Sequence, residues 1–240
     1  LLRQGAALLA LGELVAFPTE TVYGLGGNAL NPHAVEAIFA AKGRPGDNPL
    51  IVHVADVATL NQVAAVTPLA ERLMAAFWPG PLTLVLPKKP AVPDCVTAGR
   101  DTVAVRFPSH PVASLLIQMA GVPVAAPSAN LSGKPSPTTG AHVWHDLRGK
   151  VGMVIDSGPA NVGLESTVLD VTGEVPVVLR PGGVTLEMIR RIAPQAVAGG
   201  AKLKEGEAPK APGMKYRHYA PKAKVVLANA GEVAQCYRQL

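Results

Sequence analysis

The sequence predicts an α/β protein in which helices pack on an open sheet. Short apolar strand patterns alternate along the chain with helix patterns that carry start and stop signals. Hydrophobic residues make up 48% of the chain and charged residues 16%, a balance typical of a folded core and not of a disordered chain. The alternation stops near residue 195, and a new strand pattern begins at Lys224. We therefore expect an α/β domain over 1–194, a linker over 195–222, and the start of a second α/β domain over 223–240.

The strand and helix predictions rest on local signals. Apolar runs bounded by turn residues predict strands at Leu14–Phe17, Leu50–Val54, Leu82–Leu86, Thr102–Arg106, Val122–Ala126, Val151–Ile155, Ser166–Val171 and Val177–Arg180. An amphipathic helix precedes the first strand, and capping residues or prolines predict further helix starts at Asn31-Pro32, Thr67-Pro68, Pro111 and Thr185. Gly43 and Gly121 are expected to end the helices that precede them.

The glycines after the first strand are expected to make tight turns. Gly24, Gly26 and Gly27 stand in the run GLGG, which lacks the GxGxxG spacing of a dinucleotide-binding turn. The residues just before them, Thr19 to Thr21, follow the end of a strand, where open α/β sheets usually bind ligands. The strand order does not follow from the sequence.

Charge and cysteine content indicate which partners and which compartment the protein has. The net charge is +5, with a pI near 9.3, which favours anionic partners such as nucleotides or RNA without separating the two. Cys95 and Cys236 are too few and too far apart for a disulfide framework, which favours a reduced, cytoplasmic protein.

No apolar run approaches membrane-spanning length, so we expect no membrane contact. The chain starts without Met and stops within a helical pattern, so both ends are expected to be incomplete.

The stretch from Lys42 to Val54, KGRPGDNPLIVHV, is the strongest candidate for an anion site. Lys42 and Arg44 flank a glycine, two prolines stiffen the loop, and Asn48 adds a donor and an acceptor before His53 in the next strand. A solvated basic turn is the alternative. For Lys42 alone, a cation that complements the helix dipole is a further alternative.

Other polar side chains recur at predicted strand ends. Arg106 lies on a half-buried strand, where it either pairs with an anion or reaches solvent at the last residue. Ser128, Asn130 and Ser136 belong to one long loop after a strand, and Arg180 ends another strand. No metal-ligand cluster, nucleophile elbow or Walker loop is present. This inventory favours positioning and charge stabilisation of a phosphate-bearing ligand over covalent catalysis.

Several motifs together resemble the Sua5/YrdC/YciO family, in its long Sua5-type form whose members are threonylcarbamoyl-AMP synthases. The resemblance rests on PTETVYGLG (18–26), KGRPGDNPLIVHV (42–54), FWPGPLTLVL (77–86), TVAVRFPSH (102–110), PSANLSGKPSPT (127–138), STVLD (166–170), LRPG (179–182) and PGMKYRHYAP (212–221). These motifs keep the family's order and include its KxR and SxN elements. The resemblance implies a YrdC-like twisted, open, mixed sheet flanked by helices.

The resemblance also implies a reaction and a site. L-threonine, bicarbonate or CO2, and ATP would give threonylcarbamoyl-AMP and pyrophosphate, the first step of t6A modification of tRNA, with other machinery transferring the group to tRNA. Mg2+ would be held mainly through the ATP phosphates. By the family pattern, the ATP contacts would be Lys42, Arg44, Asn48, Thr102, Ser128, Asn130, Ser136, Arg180 and, in a lid, Tyr219 or His218. The threonine contacts would be Thr21, His53, Arg106 and Ser166, and the catalytic cations Lys42 and Arg44.

Two other functions remain open from the sequence. The positive charge also fits an RNA-binding module, although the cations lie in separate loops and few aromatic residues are available for stacking. A relative that forms a carbamoyl adenylate, as in hydrogenase maturation proteins, would share the domain but normally carries other modules.

Overall fold

The computed structural model describes residues 1–199, 226, 228–229 and 231–238. Within these ranges the chain forms one mixed sheet of ten strands: β1 Val15–Phe17, β2 Gly24–Asn28, β3 Ile51–His53, β4 Leu82–Pro87, β5 Thr102–Arg106, β6 Val124–Ala125, β7 Met153–Val154, β8 Thr167–Asp170, β9 Val177–Arg180 and β10 Val197–Ala198. The strand order is β10-β9-β8-β4-β5-β3-β6-β2-β1-β7. Parallel and antiparallel neighbours alternate over part of the sheet, which confirms the predicted mixed α/β fold.

The helices lie between the strands along the chain. Their bounds are α1 Leu2–Leu11, α2 Pro32–Lys42, α3 Val57–Val63, α4 Pro68–Phe77, α5 Asp94–Thr97, α6 Pro111–Ala120, α7 Gly140–Leu147, α8 Leu186–Arg190 and α9 Val233–Arg238. The predicted start signals are confirmed where Asn31, Thr67 and Thr185 cap their helices with side-chain oxygens. Gly43 and Gly121 end α2 and α6 in the left-handed conformation, as predicted.

The turn prediction for the GLGG run is wrong, because these residues form the strand β2. Gly26 lies so close to Phe17 and Val124 that an added Cβ would stand 2.7 and 2.8 Å from their side chains. Glycine here lets β2 pass between bulky neighbours, which is a requirement of packing and not of turn geometry. Sequence alone gave no sign of those neighbours.

The sheet also extends beyond its predicted end. Val197 and Ala198 form β10, which pairs in parallel with β9 at Val177 and Val178. These two residues fall in the range predicted as linker, because a strand of two exposed residues leaves no apolar pattern to detect. Most of the predicted linker, 200–222, lies outside the described residues. So does most of the strand predicted to begin at Lys224, but the helix predicted after it corresponds to α9.

The two faces of the sheet are covered unequally. The larger core packs on the face that presents Val52, Leu84 and Val105. On the opposite face, α1 and α6 cover only the half of the sheet that holds β1, β6 and β7. The rest of that face carries a small apolar cluster of Ile51, Val85, Ala104, Val168 and Leu179, and among the described residues no helix of the larger clusters packs over it.

That uncovered half-face positions the polar residues. Side chains alternate along a strand, so His53 projects on the same face as Ile51, and Arg106 on the same face as Ala104. The parallel pairing of β3 with β5 sets His53 directly beside Arg106. No helix among the described residues is long and apolar enough to cross a membrane.

Candidate functional site

An open pocket lies over the uncovered half-face of the sheet and takes in about 680 Å³, a volume that includes space open to solvent. Its lining residues come from strand ends and from the loops that follow them. They are Thr19, Thr21, Val22, Tyr23, Gly24, Arg44, Ile51, His53, Arg106, Ala126, Pro127, Ser128, Asn130, Lys134, Glu165, Ser166 and Arg180.

Arg106 is the most enclosed cation of this pocket. It is 4% exposed, and its Nη2 lies 2.6 Å from Glu20 Oε1. Its Nη1 donates to Thr21 Oγ1 at 2.9 Å, and its Nε donates to Gly80 O at 3.3 Å. Of the two readings open from the sequence, pairing with an anion is therefore confirmed. Burial lowers the pKa of Arg106, while the charge of Glu20 opposes that shift.

His53 stands next to Arg106 as a neutral imidazole. Burial, reinforced by the positive charge of Arg106, lowers the pKa of His53 to about 3. Its Nδ1 lies 3.3 Å from Ile51 O, and its ring meets Phe17 edge-on at 6.5 Å between centroids. A neutral ring at this place can exchange hydrogen bonds with a ligand without adding charge beside the guanidinium.

Ser166 and Arg180 form the wall across the sheet. Arg180 donates twice to Ser166 O, at 2.9 and 3.1 Å, and once to Ser166 Oγ at 3.1 Å. Ser166 Oγ also lies 2.7 Å from Thr83 Oγ1. Gly182 permits this contact, because an added Cβ would lie 2.4 Å from the backbone at Glu165 and Thr167.

Lys42 joins the KGR loop to the loop of Ser128 and Asn130. Its Nζ donates to the backbone oxygens of both residues at 2.5 Å. Burial, and then the charge of Arg44, lower the pKa of Lys42 to about 7. Lys42 is 3% exposed and does not line the pocket, so it connects two pocket loops from behind.

Arg44 and Asn48 shape the same wall from the KGR loop. Arg44 lines the pocket, and its Nη2 donates to Asn48 O at 3.2 Å and to Pro49 O at 3.0 Å. Asn48 is buried behind it, and Asn48 Oδ1 has no hydrogen-bond partner among the described residues.

Glu165 supplies the one carboxylate among the lining residues, against the four cations Arg44, Arg106, Lys134 and Arg180. It accepts a hydrogen bond from Ser136 Oγ, and Lys134 pairs with Asp146 at 2.6 Å. The positive excess suits a ligand that carries phosphate or carboxylate groups. Within the described ranges, no group of three or more His, Cys, Asp or Glu could hold a metal ion.

The structure brings together most, but not all, of the residues predicted for the site. Arg44, Ser128, Asn130, Arg180, Thr21, His53, Arg106 and Ser166 line the pocket. Lys42 and Asn48 lie behind the lining, and Ser136 reaches it only through Glu165. Thr102 shares the face of Arg106 but starts β5 opposite Pro87, at the far end of the strand. Tyr219 and His218 lie outside the described residues.

Sequence reasoning missed the two carboxylates of the site. Glu20 was predicted only to follow a strand end, and no role was predicted for Glu165. The motif PTETVYGLG offered a signal, since it places Glu20 directly beside Thr21. Pairing of Glu20 with Arg106 still required the fold, because 86 positions separate them.

Comparison with known proteins shows the family of the chain. The sequence profile of the Sua5, YciO and YrdC family, described as "Telomere recombination", matches residues 7–182. The chain belongs to the Sua5/YciO/YrdC family. A second profile, "Threonylcarbamoyl-AMP synthase, C-terminal domain", matches residues 184–239.

Individual relatives are similar over most of this chain. It is 54% identical to the threonylcarbamoyl-AMP synthase of Bacillus subtilis, covering 93% of this chain and 65% of that protein. It is 54% identical to the enzyme of the same name from Pyrococcus abyssi, covering 94% and 67%. The crystal structure of P. abyssi Sua5 complexed with L-threonine superposes with a TM-score of 0.92 at 51% identity, covering 99% of this chain and 71% of that one. The chain thus spans about two thirds of the length of these relatives.

Proposed function

We propose that the protein makes L-threonylcarbamoyl-AMP from L-threonine, bicarbonate or CO2, and ATP, and releases pyrophosphate. One observation carries the proposal: a single pocket joins a buried arginine beside a neutral histidine to a wall of cations and amides from three separate loops. The arginine and the histidine suit an amino-acid carboxylate, and the wall of cations and amides suits phosphate groups. The relatives named above have names in keeping with this reaction.

The proposed amino-acid end is the surface of Thr21, His53, Arg106 and Ser166. Arg106 would bind the carboxylate, because a guanidinium offers paired donors to two oxygens. Thr21 Oγ1 and Ser166 Oγ are held by protein hydrogen bonds, so they are fixed before a ligand arrives. Because His53 is neutral, the attraction for the threonine carboxylate would come from Arg106.

The proposed nucleotide end is the wall of Arg44, Ser128, Asn130 and Arg180, with Lys42 holding two of its loops together. In the reaction, a carbamate oxygen formed on threonine would attack the α-phosphorus of ATP, and pyrophosphate would leave. The nucleophile belongs to the substrate, which fits a pocket with no activated Ser or Cys among its lining residues. The role of the protein would be to align the two substrates and to offset charge on the phosphates.

Magnesium enters this proposal as part of the substrate MgATP. Mg2+ commonly keeps several waters and binds through one or two carboxylates plus substrate phosphates. The single lining carboxylate, Glu165, is compatible with that mode, and a cage made of protein groups is not needed. Bound in this way, the ion would offset negative charge on the phosphates.

Further parts of the proposal are expectations from the sequence and from the family resemblance. They are a cytoplasmic location, use of bicarbonate, nucleotide contacts by Asn48, Thr102, Ser136 and Tyr219, and transfer of the product group to tRNA by other machinery. The division into a domain at 1–194, a linker or lid at 195–222 and a second domain from 223 likewise stays a prediction.

The test is an omission assay of pyrophosphate release by the 240-residue chain. Release should require MgATP, L-threonine and bicarbonate together. Arg44→Ala should lower kcat/KM at least about tenfold, on the order of 1.4 kcal/mol in the barrier. Release that proceeds without threonine would refute the substrate assignment.

Charge distribution speaks against RNA binding by the pocket domain as the main function. Residues 1–199 contain 14 Lys and Arg against 14 Asp and Glu, whereas residues 200–240 contain 8 against 3. The whole excess of +5 therefore lies after residue 199. Tight tRNA binding with a steep salt dependence and no pyrophosphate release would favour the RNA-binding alternative.

A further inference from the structure

We propose that Glu20 is a positioning residue for the amino-acid end of the pocket, acting through Arg106. The inference rests on the proposed function and deepens it. Glu20 does not itself line the pocket, but its Oε1 lies 2.6 Å from Arg106 Nη2. The carboxylate therefore contacts the guanidinium without itself lining the pocket.

Both members of this pair are removed from water. The Glu20 side chain is 9% exposed and the Arg106 side chain 4%. A buried charge of either sign is strongly disfavoured without a partner, so Glu20 neutralises Arg106 when no ligand carboxylate is bound. Among the described residues the link between Glu20 and Arg106 is a close ion pair, and neither oxygen of the Glu20 carboxylate makes a hydrogen bond of good geometry.

The backbone that carries Glu20 is itself fixed. Glu20 O accepts a hydrogen bond from Val162 N at 2.8 Å, and Thr21 O accepts one from Gly163 N at 3.0 Å. Thr19 Oγ1 lies 2.9 Å from Thr21 Oγ1, which in turn accepts from Arg106 Nη1. The carboxylate thus belongs to a rigid frame that fixes the guanidinium through two of its nitrogens.

A guanidinium held in this way presents its remaining N–H groups in one orientation. Bidentate recognition of a carboxylate depends on that orientation more than on charge alone. Loss of Glu20 would leave Arg106 charged and held only by Thr21 and Gly80, so Nη2 would lose its fixed partner. We therefore expect the defect to fall on threonine recognition and not on ATP recognition.

The experiment compares Glu20→Ala with Glu20→Gln by steady-state pyrophosphate release, varying threonine and ATP separately. Glu20→Ala should raise the KM for threonine at least about tenfold and change the KM for ATP less than about twofold. Glu20→Gln keeps the length and one acceptor oxygen, so its threonine KM should rise no more than about threefold. Direct titration of each variant with threonine, without ATP, should give the same order of affinities.

Leu73→Ala is the matched control for general loosening, since Leu73 is fully buried in α4, away from the pocket. It should lower the melting temperature without a selective change in the threonine KM. The proposal is overturned if Glu20→Ala leaves the threonine KM unchanged, if both KM values rise together, if Gln and Ala behave alike, or if Leu73→Ala reproduces the effect. Should Glu20→Ala fail to fold, Glu20→Asp takes its place. The shorter Asp side chain keeps the negative charge but moves it away from Arg106, so the KM for threonine should rise. Wild-type protein without threonine-dependent release would overturn the proposed function as well.

Discussion

The buried pair of Glu20 and Arg106 makes a quantitative prediction about stability. Removing one member of a buried ion pair leaves an uncompensated charge, which typically costs about 3–5 kcal/mol. Arg106→Met and Glu20→Gln should each lower the free energy of unfolding by roughly that amount, since both groups are more than nine-tenths buried. The double variant leaves neither charge behind, so its loss should be only about 1–3 kcal/mol, the range of an ordinary core substitution.

The assay is a double-mutant cycle by urea unfolding, followed by two independent spectroscopic probes to check two-state behaviour. We expect a coupling free energy of at least about 2 kcal/mol between the two substitutions. The double variant should regain stability but, like Arg106→Met alone, should lack threonine-dependent activity. Losses that add within about 0.5 kcal/mol would refute the reasoning, because independent sites are expected to add to that accuracy.

Three further predictions follow from the site. Lys42→Met should cut activity at least about tenfold and should speed amide exchange in the loop of Ser128. Above pH 7, the stability of wild type relative to Lys42→Met should rise by up to about 1.4 kcal/mol per pH unit, because folded Lys42, with its pKa near 7, has lost a proton that the unfolded chain still binds. A stability difference that does not change with pH would contradict this. His53 should show no NMR titration between pH 5 and 8, since its pKa lies near 3, and a midpoint in that range would contradict its neutral role. Gly182→Ala should destabilise the fold by about 1–3 kcal/mol or more, because its Cβ would meet backbone at 2.4 Å. Gly173→Ala, whose Cβ would meet only Val175 O at 4.0 Å, is the control, and equal losses would contradict the packing argument.

Local signals in the sequence predicted much of the fold. Asn31 and Gly43 mark the ends of α2 because capping depends on residues next to the helix itself. The alternation of β5 predicted that Arg106 shares a face with Ala104, and this determines where its side chain projects. The α/β class followed from the same local patterns.

What the sequence did not predict depends on contacts between distant residues. The strand β2 was mistaken for turns because only the packed sheet shows why Gly26 must be small. The location of Lys42 behind the pocket depends on Ser128 and Asn130, which reach it from another strand end. The pairing of Arg106 with Glu20 likewise needed the strand order, which no local pattern specifies.

In the proposed arrangement, one pocket holds an amino acid at Arg106 and a nucleotide at the wall of Arg44 and Arg180. A crystal structure with L-threonine and a non-hydrolysable ATP analogue would show both ligands in place. We predict the threonine carboxylate within hydrogen-bond distance of Arg106 and the phosphates on the side of Arg44 and Arg180. Threonine bound elsewhere, or phosphate groups bound at Arg106, would contradict the account.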